Sequence, residues 1–351
     1  MPFNINNILR PNIKNLKPYS SARDEFKGEA SVYLDANENA FGSPLATNYN
    51  RYPDPQQFAL KTKLSHIKGV PPRNIFLGHG SDEAIDILFR SFCNPGIDNV
   101  IIVPPTYGMY EVSANINDVA IKRVNLSADY QLNLEGIAEA IDTHTKLIFI
   151  CSPNNPTGNS INREDIETLL ANFNGLVVID EAYINFSRQK SFIQELTEYA
   201  NLVVLQTLSK AWGLAGLRVG MAFASEEIIA VFNRVKPPYN INDASQQLAL
   251  EALENVDQIN SWIKETLIQR DKLVLSLKAF DFVLDIYPSD ANFILVKTTD
   301  ANSIYNFLVD KGIIVRNRNK IELCEGCIRI TVGTPQENES LVEALKRMDN
   351  A

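Results

Sequence analysis

Short apolar runs alternate with amphipathic stretches between about residue 70 and residue 225. The runs are apolar on both faces and end in turn residues, which is typical of strands buried in a parallel sheet. The stretches between them, such as "SDEAIDILFRSF" and "NREDIETLLANF", have helical spacing. The alternation predicts an α/β fold with a mostly parallel central sheet flanked by helices, in which a strand can still run antiparallel. The runs are "NIFLG" (74–78), "NVIIVPP" (99–105), "KLIFICSP" (146–153), "GLVVIDE" (175–181), "NLVVLQTLS" (201–209) and "LRVGMAFA" (217–224).

The segments on either side of this region have different patterns. Residues 1–30 are polar and rich in asparagine, and we expect them to form an arm that either frays or lies across another surface. A long helical pattern over about 243–280 precedes a mixture of strand-like and helix-like segments, which is typical of a smaller α+β domain. We therefore expect an arm over 1–30, a large domain over 31–240 and a small α+β domain over 241–351.

The overall composition is that of an ordinary globular protein, with 351 residues of which 45% are hydrophobic and 21% charged. The net charge of −9 argues against a nucleic-acid-binding protein, which needs a basic patch, but it leaves room for local positive sites. No apolar run approaches the ~20 residues that span a bilayer, and the first residues lack the features of a signal peptide. We therefore expect a cytoplasmic protein that binds neither nucleic acid nor membrane.

Four cysteines are too few to indicate a disulfide framework in a chain of this length. Cys324 and Cys327 form a C-x-x-C pair, but a structural zinc site needs two further ligands and no second close pair exists. A thioredoxin-like motif would open a helix early in the chain, whereas this pair precedes the strand-like "CIRITVG". We expect ordinary reduced thiols and no metal.

Polar residues follow several predicted strands, and ligands of open α/β sheets bind outside the carboxyl ends of the strands. After "NIFLG", Gly80 leads into a helix for which Ser81 or Asp82 is a candidate cap. Backbone N–H groups at a helix start bind anions, although glycine followed by serine also makes an ordinary capped turn. After "NVIIVPP", Tyr107 either lays its ring against a flat ligand or packs in the core. Neither position decides between its alternatives by itself.

The later strands end in residues that are harder to explain by packing alone. Asn154 and Asn155 follow "KLIFIC" in a proline-rich loop, where asparagine is also ordinary turn chemistry. Asp180 closes the apolar run "GLVVI", and a carboxylate is costly to bury there unless it meets a charge. The remaining polar residues at this predicted edge are Thr207, Ser209 and Lys210 after "NLVVLQ", and Arg218 at the start of the last run.

Together, these side chains match the needs of one cofactor, pyridoxal 5′-phosphate. This cofactor needs a lysine amine that bonds to its aldehyde and a carboxylate that faces its pyridinium nitrogen. It also needs hydrogen bonds at its phenolate oxygen, a stacking partner for its ring and donors for its phosphate. Each need has a candidate at the same predicted edge, and Lys210 is therefore predicted to be the residue that captures the carbonyl group.

Several motifs resemble those of a known enzyme superfamily. The blocks "SPNNPTG", "DEAYINF" and "SKAWGLAGLRVG" are similar to the signatures of fold-type I pyridoxal-phosphate enzymes in the class I and II aminotransferase superfamily. Other blocks resemble, in order and spacing, the histidinol-phosphate aminotransferase family from about residue 8 onwards. The resemblance makes 31–240 the cofactor-binding domain. The other blocks are "YLDANENAFG", "RYPDP", "GHGSDEAI", "PPTYGMY", "TLSKAWGLAGLRVG", "NFILV", "GIIVR" and "IRITVGTPQEN".

The resemblance implies roles for the residues of the cofactor site. Lys210 would bond to the cofactor and then move a proton from the substrate Cα, while Asp180 would pair with the pyridinium nitrogen. Asn155 and Tyr183 would hydrogen-bond the phenolate oxygen, and Tyr107 would stack on the ring. Lys210, Asp180 and Tyr183 would therefore be the catalytic residues. The phosphate would be held by Ser81, Asp82, Thr207, Ser209 and Arg218, with Tyr52 reaching it from a neighbouring subunit.

The resemblance further implies a homodimer with shared active sites and a set of substrate contacts. The positions in this sequence that match those contacts are Tyr19, Asn37, Arg316 and Arg329. Two guanidinium groups suit the phosphate of a substrate without a carboxylate, and they can also hold the carboxylates of glutamate. Without the resemblance, the favoured explanation of the same arginines is that they lie on edge strands and pair with solvent or with the glutamates at 322 and 325.

The implied reaction is an amino transfer in two stages that serves histidine biosynthesis. L-Histidinol phosphate would give its amine to the cofactor and leave as imidazole acetol phosphate, and 2-oxoglutarate would then take the amine and leave as glutamate. An aminotransferase for aromatic amino acids and a lyase such as threonine-phosphate decarboxylase remain alternatives, because the cofactor residues do not decide which bond at Cα breaks. A cofactor-sensing regulator with a DNA-binding module is disfavoured, because an arm of about 30 residues is too short for a winged helix.

Overall fold

The computed structural model describes residues 3–25, 28 and 30–349. The strands of this part of the chain form a seven-stranded sheet and a four-stranded sheet. The larger sheet contains β1 (Ile75–His79), β2 (Asn99–Ile102), β3 (Ala120–Arg123), β4 (Thr145–Cys151), β5 (Leu176–Asp180), β6 (Leu202–Thr207) and β7 (Val219–Ala224). The smaller sheet contains β8 (Val283–Ile286), β9 (Phe293–Thr298), β10 (Arg316–Asn317) and β11 (Cys327–Thr331).

Helices accompany both sheets, and the stretches "SDEAIDILFRSF" and "NREDIETLLANF" are confirmed as helices, α4 and α7 in the following set. The helices are α1 (Pro11–Lys14), α2 (Ala22–Glu25), α3 (Phe58–Lys68), α4 (Ser81–Phe92), α5 (Met109–Ile116), α6 (Leu134–Ala140), α7 (Arg163–Asn172), α8 (Glu226–Val235), α9 (Asp243–Ala252), α10 (Val256–Leu277), α11 (Ala301–Asp310) and α12 (Pro335–Asp349). None of those in the described ranges is long and apolar enough to cross a bilayer.

The large sheet has the strand order β1-β7-β6-β5-β4-β2-β3. All its strands run parallel except β7, which pairs antiparallel with both β1 and β6. This confirms the predicted mostly parallel sheet with room for an antiparallel strand. Because β7 is reversed, its first residues lie beside the carboxyl ends of its neighbours, with Val219 opposite His79 and Gly220 opposite Thr207. Arg218 therefore starts at the same edge at which the parallel strands end.

The central strands are buried on both faces, as their continuous apolar sequences predicted. In β5, Val177 and Ile179 belong to one apolar core, whereas Leu176 and Val178 belong to another on the opposite face. Successive side chains of a strand point to opposite faces, so a strand with no polar position needs a core on each side. The polar Asp180 that ends this strand is the exception that marks the site.

Two edge strands, β3 and β8, are absent from the predicted set. Their sequences are "AIKR" and "VLDI", and both have exposed residues in at least half of their positions. An edge strand pairs on one side only and needs few apolar residues, so its hydrophobic pattern is too short to recognise.

The helical pattern over about 243–280 is broken into two helices, α9 and α10, although the sequence predicted one continuous pattern. Neither glycine nor proline marks the break, which consists of Leu253, Glu254 and Asn255. The Asn255 N–H bonds to the carbonyl of Ala252 at 3.0 Å, so the chain makes a tight turn between the helices. Ordinary helix-compatible residues hide such a turn from a periodicity argument.

The small sheet has the order β10-β11-β9-β8 and is antiparallel throughout. It shares an apolar core with the helices around it, in which Ile294 and Ile328 of the sheet join Leu273 of α10, Ile304 of α11 and Leu341 of α12. This confirms the predicted smaller α+β unit. The boundaries at 31, 240 and 241 stay a prediction.

The first part of the predicted arm packs on the large sheet's core rather than fraying. Ile5, Ile8 and Ile13 are buried in the same apolar core as helix α4. The Arg10 N–H donates to the carbonyl of Ser91 near the end of α4, at 3.0 Å. Residues 1, 2, 26, 27 and 29 of the predicted arm lie outside the described residues.

Candidate active site

A cavity of about 650 Å³ opens at the carboxyl ends of the large sheet's strands and reaches the small sheet. This is the edge at which the sequence predicted a ligand. The predicted residues that line the cavity are Ser81, Asp82, Tyr107, Asn155, Asp180, Tyr183, Thr207, Ser209, Lys210, Arg218, Arg316 and Arg329.

Asp180, the last residue of β5, is buried at the base of the cavity. Burial raises the pKa of its carboxyl to about 6, while hydrogen bonds and the nearby Lys210 oppose the shift. Tyr110 Oη donates to Asp180 Oδ2 at 2.8 Å, and the N–H of Ala182 donates to Oδ1 at 3.1 Å. A buried carboxylate held in this way has its charge directed at whatever cation enters the cavity.

Tyr110 is a site residue that the sequence did not reveal. Its side chain is fully buried, with its ring stacked on Phe149 at a centroid distance of 4.8 Å and set edge-on to Tyr107 at 5.6 Å. The signal was present in "TYGMY", where Tyr107 stands just before α5 and Tyr110 follows three positions later, inside its first turn. In sequence alone, the second tyrosine is indistinguishable from a core residue.

Lys210 lies in the turn after β6, with its side chain facing the cavity. Burial and the positive charge of Arg329 lower the pKa of its amine, and Asp180 acts in the opposite direction. Its Nζ lies 5.6 Å from the ring centroid of Tyr183. A lowered pKa increases the fraction of neutral amine at neutral pH, which is the form that attacks a carbonyl group.

Asn155 and Tyr183 form one wall of the cavity. Asn155 Nδ2 donates to Tyr183 Oη at 3.5 Å, and Arg329 Nη1 donates to Asn155 Oδ1. Burial, followed by the influence of Cys151, raises the pKa of the Tyr183 phenol. The phenol is therefore neutral and can donate a hydrogen bond to an anionic oxygen.

The start of helix α4 forms the floor of an anion cradle. The N-cap is Gly80, and no side chain caps the helix with a hydrogen bond. The prediction that Ser81 or Asp82 is the cap is therefore wrong. Gly80 has a φ of 72°, and a Cβ atom there would lie 2.7 Å from Arg218 Nη2. Glycine thus satisfies a left-handed turn that a serine or aspartate cap would strain. The N–H groups of Ser81 and Asp82, as the first two helical residues, have no partner within the helix.

A guanidinium and two hydroxyl groups complete this cradle. Thr207 Oγ1 lies 2.9 Å from Ser209 Oγ, and Arg218 Nη1 lies 3.4 Å from the same oxygen. Arg218 Nη2 lies 3.4 Å from Asp82 Oδ2, and this is the only ion pair of Asp82 with the described residues. N–H donors, hydroxyls and one guanidinium around a helix start form a donor set that fits a phosphate group.

Arg316 and Arg329 lie directly opposite each other on β10 and β11 at the far side of the cavity. The alternative that they pair with the neighbouring Glu322 or Glu325 is wrong. Glu322 accepts a hydrogen bond from Asn125 Nδ2 at 2.6 Å, and neither arginine has a carboxylate within 4 Å in the described residues. Their charges are therefore directed to the cavity.

Three predicted residues do not line this cavity within one chain. Tyr19 has 75% of its side chain exposed. Asn37 and Tyr52 line a second cavity of about 490 Å³, where the Tyr52 ring stacks on Tyr239 at 4.4 Å. Their expected roles in a shared site stay predictions.

All four cysteines are free and buried. Burial, with the neighbouring thiol as the next cause, raises the pKa of Cys324 to about 12, so this thiol is protonated at neutral pH. In the ranges that the structure describes, no group of three His, Cys, Asp or Glu side chains is arranged to hold a metal ion.

Residues 31–345 match the family described as "Aminotransferase class I and II". The histidinol-phosphate aminotransferase of Parabacteroides distasonis is 54% identical over 98% of this chain and 99% of its own. That of Cytophaga hutchinsonii is 55% identical over 99% of both chains. The solved structure of the histidinol-phosphate aminotransferase from Sinorhizobium meliloti in complex with pyridoxal 5′-phosphate has a TM-score of 0.78 at 24% identity, covering 90% of this chain and 89% of that one. This last likeness supports the fold.

Proposed function

The chain belongs to the class I and II aminotransferase family, and we propose that it transfers the amino group of L-histidinol phosphate to 2-oxoglutarate in histidine biosynthesis. Its cofactor is pyridoxal 5′-phosphate. The observation that carries the proposal is a single cavity that contains Lys210 and Asp180. The anion cradle lies on one side of them, and two arginines without a carboxylate partner lie on the other. One anion site serves the cofactor, and the other serves the substrate. Relatives that match nearly the whole chain are named histidinol-phosphate aminotransferase, which supports the proposed amino donor.

When bound, pyridoxal 5′-phosphate supplies an aldehyde that takes up the amino group and a ring that accepts the electrons released at the substrate Cα. The N–H groups of Ser81 and Asp82, with Arg218, bind its phosphate. Tyr107 contacts its ring. Asp180 holds the proton on its ring nitrogen, because a buried carboxylate gains most when it faces a cation.

Lys210 carries out the proton transfer. Burial lowers the pKa of its amine, and the neutral form of this amine accepts the proton from the substrate Cα. After accepting this proton, the lysine is a cation and can deliver it to a second carbon. Histidinol phosphate has no carboxylate on its Cα, so removal of this proton is the step that the site must favour.

Asn155 and Tyr183 orient the reacting groups from the opposite wall. Their donors bind the phenolate oxygen of the cofactor, and the hydrogen bond from Arg329 to Asn155 Oδ1 fixes the direction of the amide. The same amide therefore connects the cofactor side of the cavity to the arginine side.

The far wall recognises the anionic end of each substrate. Arg316 and Arg329 bind the phosphate of L-histidinol phosphate in the first stage and a carboxylate of 2-oxoglutarate in the second. Tyr19 and Asn37 add contacts near the mouth of the site when the N-terminal segment is in place. An aromatic amino acid such as L-phenylalanine offers these two guanidinium groups only its single carboxylate, which has fewer oxygens and less negative charge than a phosphate monoester.

The proposal includes a homodimer in which Tyr52 reaches the cofactor phosphate of the partner. Its support is the segment of residues 32–45, in which several large apolar side chains are exposed on the single chain. Leu34 is 87% exposed and Phe41 is fully exposed, at 103%. A second copy of the chain would remove this apolar area from water. We also propose a cytoplasmic location, because phosphorylated substrates do not cross membranes.

The test is a half-reaction of the purified holoenzyme. L-Histidinol phosphate is added without any keto acid, and the absorption spectrum of the cofactor is followed, with L-phenylalanine in parallel. The proposal predicts rapid conversion to the amine form by L-histidinol phosphate and much slower conversion by phenylalanine. Conversion by phenylalanine alone would make the protein an aromatic aminotransferase. No conversion by either, with carbon dioxide release from O-phosphothreonine, would make it a lyase.

A further inference from the structure

A third arginine, Arg318, lines the cavity beside Arg316 and Arg329. Its N–H donates to the carbonyl of Cys327 at 2.9 Å, so the extended backbone of β10 continues to this residue. Side chains two positions apart on a strand share a face. Arg316 and Arg318 therefore project to the same side of the small sheet, and Arg329, directly opposite Arg316 in the register, projects there too.

The three guanidinium groups have no carboxylate partner among the described residues. Some partly buried arginines elsewhere in the chain are paired with carboxylates: Arg163 lies within 2.8 Å of Glu167, and Arg23 lies within 2.7 Å of Asp35. By contrast, no ion pair within 4 Å involves Arg316, Arg318 or Arg329 in the described ranges. The positive charge of this wall is therefore uncompensated by the protein around it.

Two of these groups also carry a buried donor without a partner. The Nε atoms of Arg318 and Arg329 are inaccessible to solvent and make no hydrogen bond. A buried N–H left without an acceptor costs stability, and guanidinium groups facing one another add repulsion. Burial, followed by the charges of Arg329 and Arg316, lowers the pKa of Arg318 to about 10. An anion among the three groups would offset the repulsion between them.

We propose that Arg318 is a specificity-determining residue that joins Arg316 and Arg329 in a three-guanidinium site for a doubly charged phosphate monoester. This inference rests on the proposed function and deepens it by assigning a residue that separates the two half-reactions. A phosphate monoester presents three oxygens and nearly two negative charges, which matches three planar donor forks. A carboxylate presents two oxygens and one charge, so two guanidinium groups suffice. Arg318 should therefore serve L-histidinol phosphate and be nearly dispensable for 2-oxoglutarate.

The experiment compares R318Q and R318K with the wild-type holoenzyme. R73Q is the matched control, because Arg73 is an exposed arginine that pairs with Glu226 outside the cavity. For R318Q, kcat/KM for L-histidinol phosphate should fall roughly 10- to 100-fold, mostly through KM, because a charge-assisted contact is lost. The 2-oxoglutarate half-reaction should change by less than about 3-fold. R318K, which keeps the charge but not the fork, should recover part of the loss, and R73Q should resemble the wild type.

A binding measurement separates recognition from catalysis. Calorimetric titration of the holoenzyme with inorganic phosphate should show at least ~10-fold weaker binding in R318Q, whereas glutarate binding should be unchanged. Equal losses for phosphate and carboxylate ligands, or no loss for either, would overturn the inference while leaving the proposed function intact. A wild-type enzyme that did not react with L-histidinol phosphate at all would overturn the proposed substrate, and this inference with it.

Discussion

At the scale of single residues, Asp180 is the position at which sequence and structure agree most informatively. The sequence marked it as a carboxylate that ends an apolar strand, and the structure buries it at the base of the cavity. The sequence could not identify its hydrogen-bond partner Tyr110, because a tyrosine in an amphipathic helix cannot be told from an ordinary core residue. Arg318 was missed for the opposite reason, since an arginine in "RNRN" reads as a solvated loop residue. Three-dimensional neighbours, not residue types, distinguish these two positions from ordinary ones.

A prediction about pH follows from the burial of Asp180. Its pKa in the folded apoenzyme is raised from 3.8 to about 6, so its burial favours folding at low pH and opposes it once the group ionises. The stability contribution is thus full below the unfolded pKa and is lost as the pH rises through 6. Relative to the isosteric variant D180N, the wild-type apoenzyme should lose about 2 kcal/mol of unfolding free energy between pH 4.5 and pH 8.

Urea unfolding of both apoproteins at several pH values measures this difference. The D180N variant should also lose transaminase activity, because an amide cannot stabilise the proton on the ring nitrogen. A stability difference that did not change with pH would mean that Asp180 keeps an ordinary pKa, and the electrostatic account of the site would be wrong.

At the scale of elements, the site depends on where strands end and helices begin. The parallel strands were recognisable from their apolar runs, and their polar ends were correctly expected at one edge. The helix start was recognisable too, but its cap was not, since the φ of 72° at Gly80 cannot be read from "GHGSDE". The edge strands β3 and β8 and the break between α9 and α10 escaped because their sequences carry no distinct pattern.

The anion cradle gives a prediction at this scale, with G80A as the test variant. A Cβ at Gly80 would meet Arg218 Nη2 at 2.7 Å in a left-handed backbone, so both the turn and the guanidinium must shift. We expect a stability loss of about 1–3 kcal/mol and an affinity for pyridoxal 5′-phosphate reduced at least ~10-fold.

The matched control is G69A. Gly69 has a similar φ of 69°, but no atom lies within 4 Å of the position that a Cβ would take. This variant should lose about 1 kcal/mol through backbone strain alone and bind the cofactor normally. Denaturant unfolding and cofactor titration of both variants provide the comparison. Equal cofactor affinities in G80A and G69A would remove the helix start from the phosphate site.

At the scale of the whole molecule, the cavity joins two sheets that the sequence predicted as separate units. The hydrogen bond from Arg329 on the small sheet to Asn155 beside the large sheet crosses the cavity, and Tyr130 Oη donates to the carbonyl of Leu323 at 2.8 Å. Motif order and spacing were enough to bring the cofactor residues to one place. They were not enough to predict that Arg316, Arg318 and Arg329 lack carboxylate partners. This depends on where nearby glutamates point, and Glu322 is bonded to Asn125 instead.

The proposed homodimer makes a prediction that concerns the assembly. Replacing Leu34 by glutamate places a charge among the exposed apolar side chains of segment 32–45, and we expect it to shift the protein from dimer to monomer. Cofactor affinity should fall with it, because Tyr52 then no longer reaches the partner's site. The control is L275E, since Leu275 is similarly exposed, at 71%, on helix α10. Light scattering at working concentration gives the mass, and a wild-type protein that is already monomeric would overturn the dimer.

The central claim is that the amino group of L-histidinol phosphate ends on 2-oxoglutarate. The most direct test uses L-histidinol phosphate labelled with ¹⁵N at its amine, incubated with unlabelled 2-oxoglutarate and the holoenzyme, and follows the label by NMR. The account predicts that the label appears in glutamate in step with the formation of imidazole acetol phosphate. Label that stayed on the substrate, or that appeared as ammonia, would contradict it.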